Sequence, residues 1–65
     1  MERKDLIYRM EKAAGAGFIT RPQLAAFMGL KDPHSVDRYL VGIPKINRKL
    51  YFIPDVATNI MAAIQ

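Results

Sequence analysis

The chain has 65 residues, 51% of them hydrophobic, and ten basic against six acidic side chains give it a net charge of +4 at pH 7. So short a chain is expected to form one domain, residues 1–65, with little room for a large active-site cavity. It contains no cysteine, which excludes disulfides, iron–sulfur clusters and thiolate zinc sites, so apolar packing must hold the fold together.

The first predicted element is an amphipathic helix over residues 3–14. Apolar residues recur there at helical spacing, and charged residues occupy the other side. Gly15 and Gly17 are expected to end the helix, since glycine readily adopts the left-handed conformation of a C-cap. The apolar positions are Leu6, Ile7, Met10, Ala13 and Ala14.

A second helix is predicted over residues 21–28. Thr20 and Gln23 have the spacing of a capping box, in which each side chain accepts a hydrogen bond from the other residue's backbone N–H. Pro22 lies in the first turn, where it gives up no helical hydrogen bond. Gly29 follows the helix at the position that favours a left-handed C-cap.

A third helix is predicted over residues 33–40, with Asp32 as its N-cap and Pro33 at its first position. The gap after the second helix is so short that the two helices must cross steeply, as in a helix-turn-helix reader of nucleic acid. Read as structure alone, the same pattern is an ordinary helix pair with a glycine stop. Helical spacing places Val36, Tyr39 and Leu40 on the apolar side and His34, Ser35 and Arg38 on the polar side.

After Gly42 the pattern changes to two β-rich runs, residues 43–46 and 50–53, which predict a hairpin. Between Arg38 and Pro54 the sequence contains four cations and no acid, which favours a polyanionic partner for this half of the chain. The alternative is a solvated turn whose charges discourage edge aggregation. The predicted hairpin tip is Asn47, Arg48 and Lys49.

A last helix is predicted from Pro54 and Asp55, which suit a first turn. Its expected buried side is Val56, Ile60, Ala63 and Ile64.

Four aromatic residues are expected in the core: Phe27, Tyr39, Tyr51 and Phe52. Tyr8 falls outside the apolar face of the first helix. The order helix, helix, turn, helix, hairpin, helix defines a mainly α fold with a small β-hairpin, a winged helix-turn-helix.

Five short motifs occur between residues 18 and 61. They are Phe18-Ile19-Thr20, Gln23-Leu24-Ala25, Met28-Gly29-Leu30, Ser35-Val36-x-Arg38-Tyr39-Leu40 and Tyr51-Phe52-Ile53-Pro54-Asp55-Val56. This set resembles the small winged-helix domains of phage and transposon excisionases. It is also similar to the DNA-binding domain of MerR-type regulators, in which a wing strand runs into a helix through a comparable aromatic and acidic segment.

The resemblance implies a binder of double-stranded DNA that bends or marks a site, for a recombinase or for transcription, on a phage or mobile element. The exposed positions of helix 33–40 would read bases, and the basic wing tip would hold phosphates. Unlike excisionases, this helix exposes a single cation, Arg38, with Asp37 beside it. The sequence also lacks the coiled coil and effector domain of MerR-type regulators, so effector sensing is not expected.

The expected DNA-binding residues are Arg21, Lys31, His34, Ser35, Arg38, Lys45, Asn47, Arg48 and Lys49. Arg38 is the strongest candidate for a base contact, because an exposed guanidinium can pair bidentately with guanine. The alternative for Arg38 is a surface ion pair with Asp37 or Glu11. Each of the other residues has the alternative of being solvated surface.

Enzymatic activity, cofactors and bound metals are not expected. His34 and Ser35 are adjacent, and neighbouring helix residues project about 100° apart, which does not suit a base and nucleophile pair. No apolar run is long enough to span a bilayer, and no secretory signal is recognisable, so a cytoplasmic, nucleoid-associated protein is expected.

The expected partners are double-stranded DNA, a recombinase or another protein, and further copies of the chain binding cooperatively on DNA; no membrane partner is expected. The alternative function is a protein-interaction module, such as an antirepressor or recombinase partner. That module would use the same winged fold through an apolar surface. Its candidate surface residues are Ile60, Met61 and Ile64.

Overall fold

The computed structural model describes residues 2–64 of the chain. They form a mainly helical fold with one small two-stranded antiparallel sheet. In chain order, the elements are α1 (Arg3–Ala14), β1 (Phe18–Ile19), α2 (Arg21–Met28), a 3₁₀ helix (Pro33–Tyr39), β2 (Tyr51–Phe52) and α3 (Ile53–Ile64).

Both α1 and α2 have the predicted bounds, because their ends are set by local capping. Gly15 and Gly29 are left-handed C-caps, with φ values of 74° and 76°. The capping box at the start of α2 is complete. The Gln23 amide donates to Thr20 Oγ1 at 3.2 Å, and the Thr20 amide donates to Gln23 Oε1 at 2.9 Å.

The third predicted helix forms in the right place but with a tighter winding than expected. It is a 3₁₀ helix that ends at Tyr39. Its N-cap is the predicted one, since Asp32 Oδ1 accepts a hydrogen bond from the His34 amide at 2.9 Å. Burial follows a three-residue period: Val36 is fully buried, Pro33 and Tyr39 are half-buried, and the residues between them are exposed. This period matches a 3₁₀ helix, in which residues three apart lie in one row.

The predicted pairing of 43–46 with 50–53 is wrong except at one residue pair. Ile46 and Leu50 form an isolated antiparallel bridge around the predicted three-residue tip. After that bridge, β2 pairs antiparallel with β1 instead of with residues 43–46, and Phe18 lies opposite Phe52 and Ile19 opposite Tyr51. The chain therefore closes a two-stranded sheet between its first and second halves.

The core lies where α1 packs on α3 and where α2 packs on the 3₁₀ helix. Ala25 of α2 is 2% exposed and belongs to this core. Tyr51 is buried as predicted, whereas Phe52 is 42% exposed because it lies on the outer side of the sheet. The fully buried side chains are Met10, Ile19, Leu24, Val36, Ile53 and Val56.

In both α1 and α3, fewer apolar residues are buried than the sequence predicts. α3 begins one residue early, at Ile53, and buries Val56 and Ile60, but Ala63 and Ile64 are exposed near its C-terminal end. Ala13 is also exposed, whereas Ala14, the last residue of α1, is half-buried against the core. Within residues 2–64, no helix combines the length and apolarity needed to cross a bilayer.

Candidate nucleic-acid interface

The exposed side of the 3₁₀ helix consists of two rows of polar residues. His34 and Asp37 form one row, with His34 Nδ1 3.6 Å from Asp37 Oδ2. Ser35 and Arg38 form the other, because residues three apart nearly eclipse in this helix type. The Arg38 guanidinium lies 5.8 Å from the centre of the Tyr39 ring. No carboxylate of residues 2–64 forms an ion pair with Arg38, so the expected alternative of a pair with Asp37 or Glu11 is not observed.

An ion pair joins α2 to the 3₁₀ helix. Arg21 Nε lies 2.8 Å from Asp37 Oδ1. Nε is enclosed, but its N–H is not aligned for a hydrogen bond with any described residue, so the contact is electrostatic rather than a well-formed hydrogen bond. This pair places the Arg21 guanidinium beside the 3₁₀ helix and offsets the charge of Asp37, the acid next to Arg38 in the sequence.

Residues 45–49, which we call the basic loop, present three cations on a short, closed turn. The Ile46 and Leu50 backbones exchange two hydrogen bonds of 2.8 Å, which close the turn. Asn47 and Arg48 both adopt left-handed conformations, with φ values of 52° and 68°. Asparagine tolerates this region, whereas arginine occupies it at a conformational cost.

A groove of about 370 Å³ lies between the start of α2 and the basic loop. Arg21 contributes the cation from α2, and the loop contributes Lys45, Arg48 and Lys49. None of the lining residues within 2–64 is acidic, so four positive charges surround one concave surface. The remaining lining residues are Thr20, Pro22, Pro33 and Tyr51.

The structure thus brings together four of the nine candidate residues in the groove and places three on the 3₁₀ helix. Lys31 is exposed in the turn before that helix. Asn47 is exposed at the tip of the basic loop but does not line the groove. Tyr51 was expected to be a core residue only, and its second position, on the lining of the groove, depends on the pairing of β2 with β1, which no local pattern indicates.

Within the described residues 2–64, no group of three or more potential ligands has the arrangement needed to hold a metal ion.

No protein-family model, curated protein or solved structure matches this chain.

Proposed function

We propose that this chain binds double-stranded DNA as a winged helix-turn-helix protein. The 3₁₀ helix faces the major groove, and the basic loop serves as the wing on the adjacent backbone or minor groove. The observation that carries the proposal is the groove, which the described residues line with four cations and no acid, next to the first residue of the 3₁₀ helix. The resemblance to excisionases adds the role of an architectural factor or small transcriptional regulator of a phage or mobile element.

Four like charges around one concave surface repel one another, and the nearest acid, Asp37, offsets only one of them. A polyanion removes this repulsion and gains attraction from every cation at once. Duplex DNA carries phosphate charges at a spacing of about 1.7 Å along its axis, so its backbone presents the required density. Solvated surface charges have no physical reason to converge in this way.

Base reading is assigned to the Ser35 and Arg38 row. Within residues 2–64 no carboxylate forms an ion pair with the Arg38 guanidinium, and arginine can pair bidentately with guanine in the major groove. Asp37 would repel phosphate if it were unpaired. Its ion pair with Arg21 neutralises that repulsion and keeps the acid compatible with a nearby duplex.

The experiment is a duplex-binding titration by fluorescence anisotropy across a series of salt concentrations. Neutralising about four to six phosphates gives a log–log slope of about −4 to −5. Replacing the loop cations together, Lys45→Gln, Arg48→Gln and Lys49→Gln, should flatten this slope by about 3, since each phosphate contact contributes about 1.

The matched control removes three exposed cations from α1 instead: Lys4→Gln, Arg9→Gln and Lys12→Gln. It has the same net charge as the loop variant, so it separates local contact from overall charge. Equal losses in the two variants, or an affinity that barely responds to salt, would contradict the proposal.

The alternative function, a protein-interaction module, is supported by an aromatic pair of exposed Phe52 and half-buried Phe18 rather than by the end of α3. The Phe18 and Phe52 rings lie 5.3 Å apart, and Phe52 is 42% exposed. Of the residues first considered for this role, Ile60 is buried, Met61 is half-buried and Ile64 is exposed. A loop variant that keeps full biological activity would favour this alternative.

A further inference from the structure

We infer that the groove between α2 and the basic loop holds a phosphodiester of one DNA strand, and that the Tyr51 hydroxyl donates a hydrogen bond to it. This inference rests on the proposed function and makes it specific. The inference replaces a general attraction between the basic loop and the DNA backbone with a defined binding site for one DNA strand. It also assigns a binding role to a residue that the sequence pattern places only in the core.

Tyr51 is 5% exposed and belongs to the residues that line the groove. Among residues 2–64, its hydroxyl makes no hydrogen bond. The hydroxyl oxygen is also accessible from outside. Among the half-buried and buried residues of 2–64, only one side-chain nitrogen or oxygen is both enclosed and without a hydrogen bond, and that atom is Arg21 Nε rather than the Tyr51 oxygen. The small exposed part of Tyr51 therefore includes a hydroxyl that has no hydrogen-bond partner among residues 2–64 and is open to a ligand in the groove.

The two walls of the groove supply charge from opposite sides. On the α2 side, the two terminal nitrogens of Arg21 donate no hydrogen bond to any other residue of 2–64. These donors can therefore reach a ligand while Nε stays beside Asp37. On the other side, Lys45, Arg48 and Lys49 come from the basic loop. A ligand between these walls meets cations on both flanks and a neutral donor at Tyr51.

The lining favours a phosphate that carries sugars over a bare ion. Pro22 and Pro33 add apolar surface, which suits deoxyribose carbons, and a volume of about 370 Å³ exceeds what one phosphate group fills. A phosphodiester presents two anionic oxygens to the cations and accepts a hydrogen bond from a hydroxyl. A free nucleotide shares this chemistry, so the experiment must distinguish the two sources.

The test compares Tyr51→Phe with Tyr8→Phe in duplex-binding titrations. Each variant loses one hydroxyl oxygen, and Tyr8 is 60% exposed on α1 and does not line the groove. Tyr51→Phe keeps the buried ring, so the fold should persist, which a thermal melt checks. We expect Tyr51→Phe to weaken duplex binding about threefold to tenfold with an unchanged salt slope, because the lost donor is neutral. Tyr8→Phe should bind like the wild type.

Arg21→Gln supplies a second measurement, since it removes a charge from the other wall. It should flatten the salt slope by about 1. If the wild type binds duplex DNA but Tyr51→Phe and Arg21→Gln both have its affinity and salt slope, the phosphodiester site in the groove is refuted while the DNA-binding proposal stands.

A titration with dAMP and with inorganic phosphate, followed by amide NMR shifts, separates the phosphate sources. Weak shifts at residues 48–51 together with tight duplex binding support a strand in the groove. Shifts there with dAMP and no binding to duplex would overturn both the strand and the DNA-binding proposal in favour of a free nucleotide. No response to any of the three probes would overturn both as well.

Discussion

Arg48 holds a backbone conformation that arginine rarely adopts, with a φ of 68° at the tip of the basic loop. For a residue with a Cβ, the left-handed region costs about 1–2 kcal/mol relative to the right-handed one. Asn47 beside it is one of the residue types that tolerate this region. Glycine would fit the position of Arg48 with less strain, so a contact made by the guanidinium gives a reason for arginine to be there.

Arg48→Gly is therefore expected to separate stability from binding. It should raise the free energy of unfolding by about 0.5–1 kcal/mol, because the strain that it relieves exceeds the entropy cost of glycine. It should also weaken duplex binding and flatten the salt slope by about 1. Chemical denaturation and salt-dependent anisotropy measure the two effects.

Lys49→Ala is the control for this prediction. It removes a neighbouring charge without altering a left-handed residue, so it should weaken binding and gain only the small stability that reduced repulsion among the groove cations gives, less than Arg48→Gly gains. A glycine variant that is less stable than the wild type, or that binds DNA equally well, would refute the account of Arg48.

At the scale of elements, α3 holds the end of the 3₁₀ helix through one side chain. Asn59 Nδ2 donates to the carbonyl oxygens of Tyr39, at 2.9 Å, and Val41, at 3.1 Å. Both carbonyls lie where a helix end leaves acceptors without intrahelical partners. Asn59 therefore fixes the junction between the 3₁₀ helix and the segment that leads to the basic loop.

Asn59→Asp should disturb this junction by setting a carboxylate against two carbonyl oxygens. We expect a loss of about 1–3 kcal/mol in the free energy of unfolding, the usual cost of leaving such groups unpaired. Duplex affinity should fall at temperatures where the variant is still folded, because the 3₁₀ helix and the basic loop, the two segments proposed to contact DNA, lose their fixed relation. Denaturation curves and anisotropy well below the thermal midpoint measure these effects.

Thr58→Val is the matched control on the same helix. Thr58 Oγ1 accepts from Arg3 Nε at 2.9 Å and donates to the Pro54 carbonyl at 3.1 Å, so its loss weakens the contact between α1 and α3. It should lower stability and leave the affinity of the folded protein unchanged. If Asn59→Asp also leaves affinity unchanged, Asn59 has a structural role only.

Local signals predicted the elements whose ends are set by neighbouring residues. The capping box and the glycine after α2 gave its bounds, since both act within one helical turn. Spacing did not distinguish an α-helix from a 3₁₀ helix at 33–39, because both place residues three apart on one side. The exposed residues of the 3₁₀ helix were nevertheless identified, since Ser35 and Arg38 lie on the outside in either geometry.

Long-range pairing was the part that the sequence could not supply. The apolar run at residues 50–53 fits a hairpin as well as it fits a pairing with β1, and only the tertiary fold chooses between them. That choice puts Tyr51 into the sheet and onto the lining of the groove. The four groove cations were individually predicted, but their convergence depends on the same non-local contact.

For the whole molecule, one small core must support the charged groove. Domains are stabilised by roughly 0.05–0.15 kcal/mol per residue, so a chain of this length has only several kcal/mol in hand. Mutual repulsion among the groove cations subtracts from that margin. A ligand that binds the folded state and removes the repulsion should therefore have a large effect on the melting of the domain.

We expect duplex DNA at about 100 times its dissociation constant to stabilise the fold by about 2.7 kcal/mol. For a domain of this size, each kcal/mol moves the thermal midpoint by about 4–8 °C, so the shift should be about 10–20 °C at low salt. At a fixed DNA concentration, high salt should abolish most of it, because phosphate contacts weaken as counterions compete. The triple loop variant should show a much smaller shift than the triple α1 variant. Circular dichroism melts measure these shifts, and the same shift with heparin in place of DNA would reduce the site to a general polyanion surface.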